Sequence, residues 1–417
     1  MQRHQERVDS PSGDPGAGQR TARREEVSVA RLAPVAARGV RIAIARCLPP
    51  VEHRTSLWVF GGASGRSYSD NSRVTHEHVL ASREGIDPVW VIDADAVDRT
   101  NVEAVSDIAL RDTLFAHRLA RSAQVIVFSH GVQDVPGLMS NSSAVRVRLG
   151  HGLTAFGKTK GRTPRSLSRM ARSIDLAPVA SEMERAHKRE WGFTDDKLPI
   201  TGLPRWDAML RERATVERER PLVLYAPTSR PWHTENDASP GGALQPVHEL
   251  LSSPRLRSHL EAGSFELAVY FHQITRYRFG TFEWLPAGVT LIDAEADLPR
   301  AIASASLVVS DYSSILWDSL YLDTPAAFFQ FDRDEHLERR GSYLDLRAPL
   351  FGPNVDRAEE LLDVIDQAVA DGFTLAGYAD HRAAWQERAF AYRDANTAER
   401  VVAAIEERLV APPNRTR

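Results

Sequence analysis

His151 stands between two glycines in GHGLTAFGKTKGR (150–162), directly after the run AVRVRL (144–149). Gly150 and Gly152 let the backbone approach a ligand closely. An imidazole there suits a general base, because its pKa lies near working pH and the role is worth about 10²–10⁴ in rate. The alternative is a turn histidine bonded to backbone. A second histidine, His272, closes the run ELAVYF (266–271) in YFHQ. A third place for chemistry is Ser310-Asp311-Tyr312-Ser313-Ser314, where LVV (307–309) hands over to a helical pattern. The first N–H groups of a helix lack intrahelical partners and favour an anion. The hydroxyls of Ser313 and Ser314 add neutral donors that suit phosphate oxygens, or one of them caps the helix. Asp311 would cap the turn, orient a neighbouring Arg or His, or accept from a sugar or glycerol hydroxyl.

Two further segments repeat the theme. TGLPRWD (201–207) puts Arg205 and Asp207 in a first helical turn behind Pro204. Arg205 then pairs with Asp207 or binds phosphate. YAPTSR (225–230) places Thr228, Ser229 and Arg230 at the mouth of another apolar run. Two His, two Arg, several hydroxyls and an Asp thus gather at strand ends. That set suits a nucleotide diphosphate donor, and no metal-binding cluster stands out.

The elements that must position these residues alternate. Strand-like runs are LWVF (57–60), PVWVI (88–92), QVIVF (124–128), AVRVRL (144–149) and KLPIT (197–201), with helical patterns near 71–84, 107–122 and 181–191. A second series begins at PLVLYAPT (221–228) and continues through ELAVYF (266–271), VTLI (289–292), LVV (307–309) and AAFFQF (326–331). Its helices fall near 246–262, 297–305, 314–322 and 357–371. Such alternation means parallel sheets covered by helices on both faces, with ligands beyond the carboxyl ends of the strands. The expected fold class is α/β, with two doubly wound Rossmann-like domains facing a cleft. The divisions expected are a disordered tail at 1–27, an amphipathic helix at 28–50 and a first domain at 51–210. A charged linker at 211–220, a donor-binding domain at 221–380 and a helix crossing back with a tail at 381–417 complete them.

The bulk numbers exclude several classes. The 417 residues carry a net charge of −4, which gives no global field for nucleic acid. The single cysteine, Cys47, allows neither an intramolecular disulfide nor a cysteine metal site. No run of 18 apolar residues predicts a spanning helix, and no signal-peptide core precedes the domains. A cytoplasmic location is expected. Lys158, Lys160, Arg162, Arg165, Arg169 and Arg172 form a basic stretch without an acid. Beside an anionic leaflet each would contribute about 1 kcal/mol, and otherwise they are a solvated surface.

Taken in order, the motifs resemble the CDP-glycerol glycerophosphotransferase family, which includes teichoic acid primases and polymerases. FGGASGRSYSDNSR (60–73) resembles its early Gly/Ser segment ending in S-D-N-P, and RLGHGLTAFGK resembles W-H-G-T-P-L-K-x-L-G. TGLPRWDAML resembles T-G-x-P-R-x-D-x-L, and YAPTSR resembles Y-A-P-T-x-R. SDYSSILWDSLYLDTPAAFF resembles D-Y-S-S-x-x-x-D-x-x-x-x-x-x-P-x-x-F, and FDRDEHLERRGSYLDL (331–346) resembles the acidic segment that follows. The resemblance spans about Leu57 to Leu362. It implies a glycosyltransferase-B-like fold and transfer of glycerol phosphate from CDP-glycerol to a hydroxyl of a lipid-linked acceptor, releasing CMP. It implies His151 as base, with His272 and Asp311 as further catalytic candidates. Gly152, Arg205, Asp207, Thr228, Arg230, Ser310, Ser313 and Ser314 are the implied substrate contacts. No tightly bound cofactor is implied, and the expected partners are a CDP-polyol, a polyol-phosphate or glycan acceptor and the inner face of the cell membrane. This sequence departs from the family at Gly150 (Trp), Leu153-Thr154 (Thr-Pro) and Gln273 (Pro), all beside the two histidines. The rival readings are a CDP-ribitol transferase, a nucleotide-sugar glycosyltransferase of the same fold, and a lapsed homologue that only binds.

Overall fold

Leu57–Gly61 (β1), Asp87–Ile92 (β2), Asp107–Leu110 (β3), Val125–Phe128 (β4) and Val145–Arg148 (β5) form one sheet in the order β3-β2-β1-β4-β5. Every pairing is parallel, with Val59 opposite both Val89 and Ile126. Successive side chains of a strand point to opposite faces. Accordingly Leu57 and Val59 enter one apolar cluster, while Trp58 and Phe60 enter another on the far side. The computed structural model describes residues 40, 43–44, 47–49, 51, 56–141, 143–158, 163–230, 232, 242, 244–272, 275, 285–292 and 298–410. Most of the 28–47 segment therefore lies outside the described residues, and Cys47 is exposed.

The second sheet contains Leu222–Tyr225 (β6), Glu266–Val269 (β7), Val289–Leu291 (β8), Leu307–Ser310 (β9), Ala326–Phe329 (β10) and Asn354–Val355 (β11). Its order is β11-β10-β9-β6-β7-β8, again parallel throughout. Val223 and Tyr225 pack under the helices Gln245–Ser252 and Ala358–Ala370. Leu222 and Leu224 face the seam between the two domains. There Phe156 stacks on Trp317 at 4.8 Å and Trp206 stacks on Tyr321 at 4.3 Å. All four rings are buried. Burying a large apolar side chain is worth about 1.5–3 kcal/mol, so parting this seam is costly and the sheets are fastened at the cleft's base.

Several expected boundaries shift for local reasons. Residues 107–110 are an edge strand rather than the start of a helix; the helix begins at Leu114, capped by Thr113. The 246–262 pattern divides into Gln245–Ser252 and Pro254–Glu261, because Pro254 carries no N–H and Ser253 caps the second helix. KLPIT contributes only the single bridge of Ile200 to Val179. The helix Arg205–Thr215 consumes the first half of the charged 211–220 segment. Beyond Ala379–Ala389, the helix Thr397–Val410 packs on the first sheet, placing Val401, Val402 and Ile405 among Trp58 and Trp90. Arg83 pairs there with Glu399 and Glu406, each at 2.8 Å.

Candidate active site

The carboxyl ends of β4 and β5 form the first lip of the cleft. β4 runs into Ser129-His130-Gly131, and β5 runs into Leu149-Gly150-His151-Gly152. Gly150 has φ +76° and Gly152 +153°, conformations that side chains resist. The His151 ring lies parallel to that of His130, with centroids 4.8 Å apart and planes 7° apart. His130 Nδ1 accepts the Ala63 N–H at 3.1 Å. Asp134 accepts the N–H groups of His130, Gly131 and Ser64, which fixes the loop. Asp70 Oδ2 lies 3.9 Å from His130 Nε2. Asn71, fully buried, donates to the Gly150 carbonyl at 2.9 Å and accepts the Arg205 N–H at 3.0 Å.

The His151 side chain is exposed at this lip. Desolvation by the neighbouring chain pushes its pKa down to about 4, helped by His130, Arg148 and Arg205 and opposed by Asp70. Four influences lower it against one carboxylate, so the ring is neutral at pH 7 and can take a proton.

The second lip is the turn after β9. Asp311 is buried inside it and accepts the Thr228 N–H at 2.9 Å, the Thr228 hydroxyl at 2.5 Å and the Tyr312 N–H at 2.6 Å. Its other oxygen lies 2.7 Å from Arg230 Nη2. Arg230, also buried, grips Asp332 with Nε and Nη2 at 2.6 and 2.8 Å and donates Nη1 to the Thr228 carbonyl. Ser310 donates its hydroxyl to the Ala226 carbonyl. Asp311, Arg230, Thr228 and Ser310 thus tie the frame of the turn together. The buried ion pairs use up the carboxylate and the guanidinium that the sequence offered for chemistry.

Ser314 lies against Gly152 across the cleft, and the neighbouring Ser313 Oγ accepts the Ile315 N–H at 3.4 Å. Both are half-buried, and among the described residues nothing takes up their backbone N–H groups. Ser314 begins the helix Ile315–Tyr321 without a side-chain cap bond. A Cβ placed on Gly152 would fall 2.4 Å from Ser314 Oγ and 3.4 Å from Arg205 Nη2. Only glycine lets the two lips meet this closely. His272 follows β7, two strands from β9, and is exposed. Strand spacing puts it roughly 10 Å along the lip from the serine turn.

Arg205 joins the lips. Its Nε and Nη2 hold Asp318 at 3.1 and 2.6 Å, and Nη1 donates to the His151 carbonyl at 2.8 Å and reaches Asp70 at 3.5 Å. The Trp206 indole N–H donates to Asp318 at 2.7 Å. Burial alone would lower the Arg205 pKa, but Asp318 and Asp70 more than offset it and hold it above its ordinary value. Burial pushes Asp318 up while Arg205 and Trp206 pull it back. The bidentate geometry and second donor support the ionised pair. The partner of Arg205 is thus Asp318 and not Asp207. Asp207 is buried against the last helix, where it accepts the N–H groups of Thr397 and Ala398 at 3.1 and 2.8 Å. It caps that helix and has no place in the cleft.

His130, Asp70, Asn71 and Asp318 went unmarked in the sequence reading. Each left a signal: His130 follows VIVF as His151 follows its own run, Asp70-Asn71 are the D-N of SYSDNSR, and Asp318 is the second Asp of DYSSILWD. Of the basic stretch, Arg165, Arg169 and Arg172 are exposed on the helix Pro164–Ser173, at spacings that share one face. Lys158 is exposed over the Tyr343 ring and 3.7 Å from Glu190. Lys160 and Arg162 lie outside the described residues.

Comparison with known proteins identifies the family and the fold. The chain is 22% identical over 338 residues to the teichoic acid poly(ribitol-phosphate) polymerase of Bacillus spizizenii, covering 74% of this chain and 50% of that protein. It is 28% identical over 181 residues to a teichoic acid glycerol-phosphate primase of the same organism, covering 40% and 43%. The chain spans about half the length of the curated relatives it matches. A variant of the wall teichoic acid polymerase TagF soaked with CDPG superposes with a TM-score of 0.70 at 13% identity, over 93% of this chain and 97% of that one. The fold is the same glycosyltransferase-B-like pair of domains. With a match to the family description over residues 42–407, the chain belongs to the CDP-glycerol:poly(glycerophosphate) glycerophosphotransferase family.

Proposed function

We propose that this chain transfers glycerol phosphate from CDP-glycerol to a hydroxyl of a lipid-linked polymer acceptor, releasing CMP. The observation that carries the reading is the close approach of Gly152, next to His151, to Ser314 across the cleft. This brings a neutral imidazole on one lip near N–H and hydroxyl donors on the other. His151 takes the acceptor's hydroxyl proton as that oxygen bonds to the β-phosphorus. The bond from this phosphorus to the bridging oxygen breaks, and its electron pair leaves with CMP. Ser313 and Ser314 bind the phosphoryl oxygens, and phosphoryl transfer needs mainly such positioning and charge stabilisation. His272 is a second candidate at the same edge. The proposal assigns no tightly bound cofactor, and turnover with and without Mg²⁺ tests whether a divalent ion assists. Among the described residues no group of three or more His, Cys, Asp or Glu could hold a metal.

A second reading, ribitol phosphate as the transferred group, is favoured by the match to a poly(ribitol-phosphate) polymerase and by the departures around both histidines. Purified chain given CDP-glycerol or CDP-ribitol, with and without a glycerol-phosphate acceptor, separates the two. Acceptor-dependent CMP from CDP-glycerol is the expected result. Faster release from CDP-ribitol would establish the second reading, and a nucleoside diphosphate made from a nucleotide sugar would overturn both.

A lipid-linked acceptor calls for a peripheral protein working at the inner face of the membrane. Among the described residues no helix is long and apolar enough to cross a membrane. Arg165, Arg169 and Arg172 are the surface proposed to meet anionic lipid. Replacing all three by Gln is expected to weaken flotation with phosphatidylglycerol vesicles by about a hundredfold at low salt, at about 1 kcal/mol per charge. Equal flotation of the triple variant would remove this surface from the reading.

A further inference from the structure

The first lip carries two histidines. The His151 backbone is held, its carbonyl by Arg205 and that of Gly150 by Asn71, but among the described residues no hydrogen bond holds the His151 ring. His130 is the opposite case. Ala63 holds its Nδ1, so its proton sits on Nε2 toward Asp70, and Asp134 holds its backbone. The rigid ring lies flat against the loosely held one, 4.8 Å away.

We propose that His130 is a positioning residue for His151, its ring face setting the plane in which His151 meets the acceptor hydroxyl; this rests on the reaction proposed above. A proton relay between the two rings is ruled out by the stack itself. Ring nitrogens bond in the plane of the ring, and planes 7° apart cannot aim an N–H of one at a nitrogen of the other. The remaining charged groups facing His151 are Asp70, Arg148 and Arg205. Asp70 also lies 3.9 Å from His130 Nε2, so one carboxylate acts on both rings.

Two substitutions divide the roles of the His130 ring. His130→Asn keeps an acceptor for the Ala63 N–H and removes the face. His130→Phe keeps the face and removes the nitrogens. In the Asn variant kcat is expected to fall by about tenfold to a hundredfold, the usual cost of a misplaced catalytic group, with KM for CDP-glycerol changed by no more than a few-fold. In the Phe variant most of kcat returns. Imidazole NMR of His151 gives a readout independent of turnover. Its midpoint, near 4 in the wild type, should stay low with Phe and climb toward 6.5 with Asn, as water replaces the covering ring. Wild-type kcat in the Asn variant, or a Phe variant as slow as Asn, overturns the proposal. Should the Asn variant fail to fold, the Phe variant decides in the same way. If the wild type releases no CMP, the reaction reading fails separately, and an unmoved His151 midpoint in the Asn variant would then be what overturns the stack.

Discussion

In the His151→Ala variant, acceptor-dependent CMP release is expected to fall by about 10²–10⁴-fold, the range for a general base. CDP-glycerol binding by calorimetry should change by no more than a few-fold, because the phosphate donors sit on the opposite lip at Ser313 and Ser314. Near-normal turnover would remove His151 from the base role. The wild-type pH profile adds a second check. A base with its pKa held down to about 4 stays active well below the ordinary histidine range. The acid limb of kcat/KM, which reports the free enzyme, is therefore expected near pH 4 and not near 6.5. The sign for stability follows from the same shift. The folded pKa lies below the unfolded one, so the contribution is complete above about 6.5 and is lost as pH falls toward 4. His151→Ala should accordingly soften acid-induced unfolding in that window while lowering activity at every pH.

The layout of the sheets was legible because fully buried parallel strands appear as short aliphatic runs, and LVLY and AAFF are buried along their whole length. DIAL escaped because an edge strand is apolar on one face only, whereas VTL, also at an edge, was read as a strand from VTLI. The cleft was legible at His151, Ser313 and Ser314, since strand ends mark ligand crevices in such sheets. The same rule did not show that Asp311, Arg230 and Asp207 turn inward to protein partners. A strand end tells where a residue emerges, not which way its side chain turns. The charge complement that buries these three comes from Asp332, 102 residues beyond Arg230, and from backbone N–H groups of Thr397 and Ala398. Local spacing paired Arg205 with Asp207, two positions away. On a helix such neighbours do not face each other, so the guanidinium was free to reach Asp318 in the other domain.

That reach sets the largest expected effect on stability. Among the described residues, Arg205→Ala leaves Asp318, 1% exposed, with only the Trp206 indole N–H to support its charge. Removing one member of a buried pair costs about 3–5 kcal/mol. For domains of this size each kcal/mol shifts melting by about 2–4 °C, so a fall near 10 °C is expected in thermal denaturation. Much of that cost is the stranded carboxylate and not the lost attraction. Adding Asp318→Asn to Arg205→Ala should therefore recover a good part of the melting temperature, and a double-mutant cycle measures the coupling directly. Turnover should not recover with it. Arg205 also donates to the His151 carbonyl at 2.8 Å, and the neutral amide introduced by Asp318→Asn restores neither that bond nor the tie between the lips. A single Arg205→Ala change without effect on melting would show that the seam of Phe156, Trp206, Trp317 and Tyr321 holds the domains unaided. Recovered melting with lost turnover would show a division of labour: aromatic packing fastens the two sheets, and the Arg205–Asp318 pair sets the register in which His151 faces the Ser313-Ser314 turn.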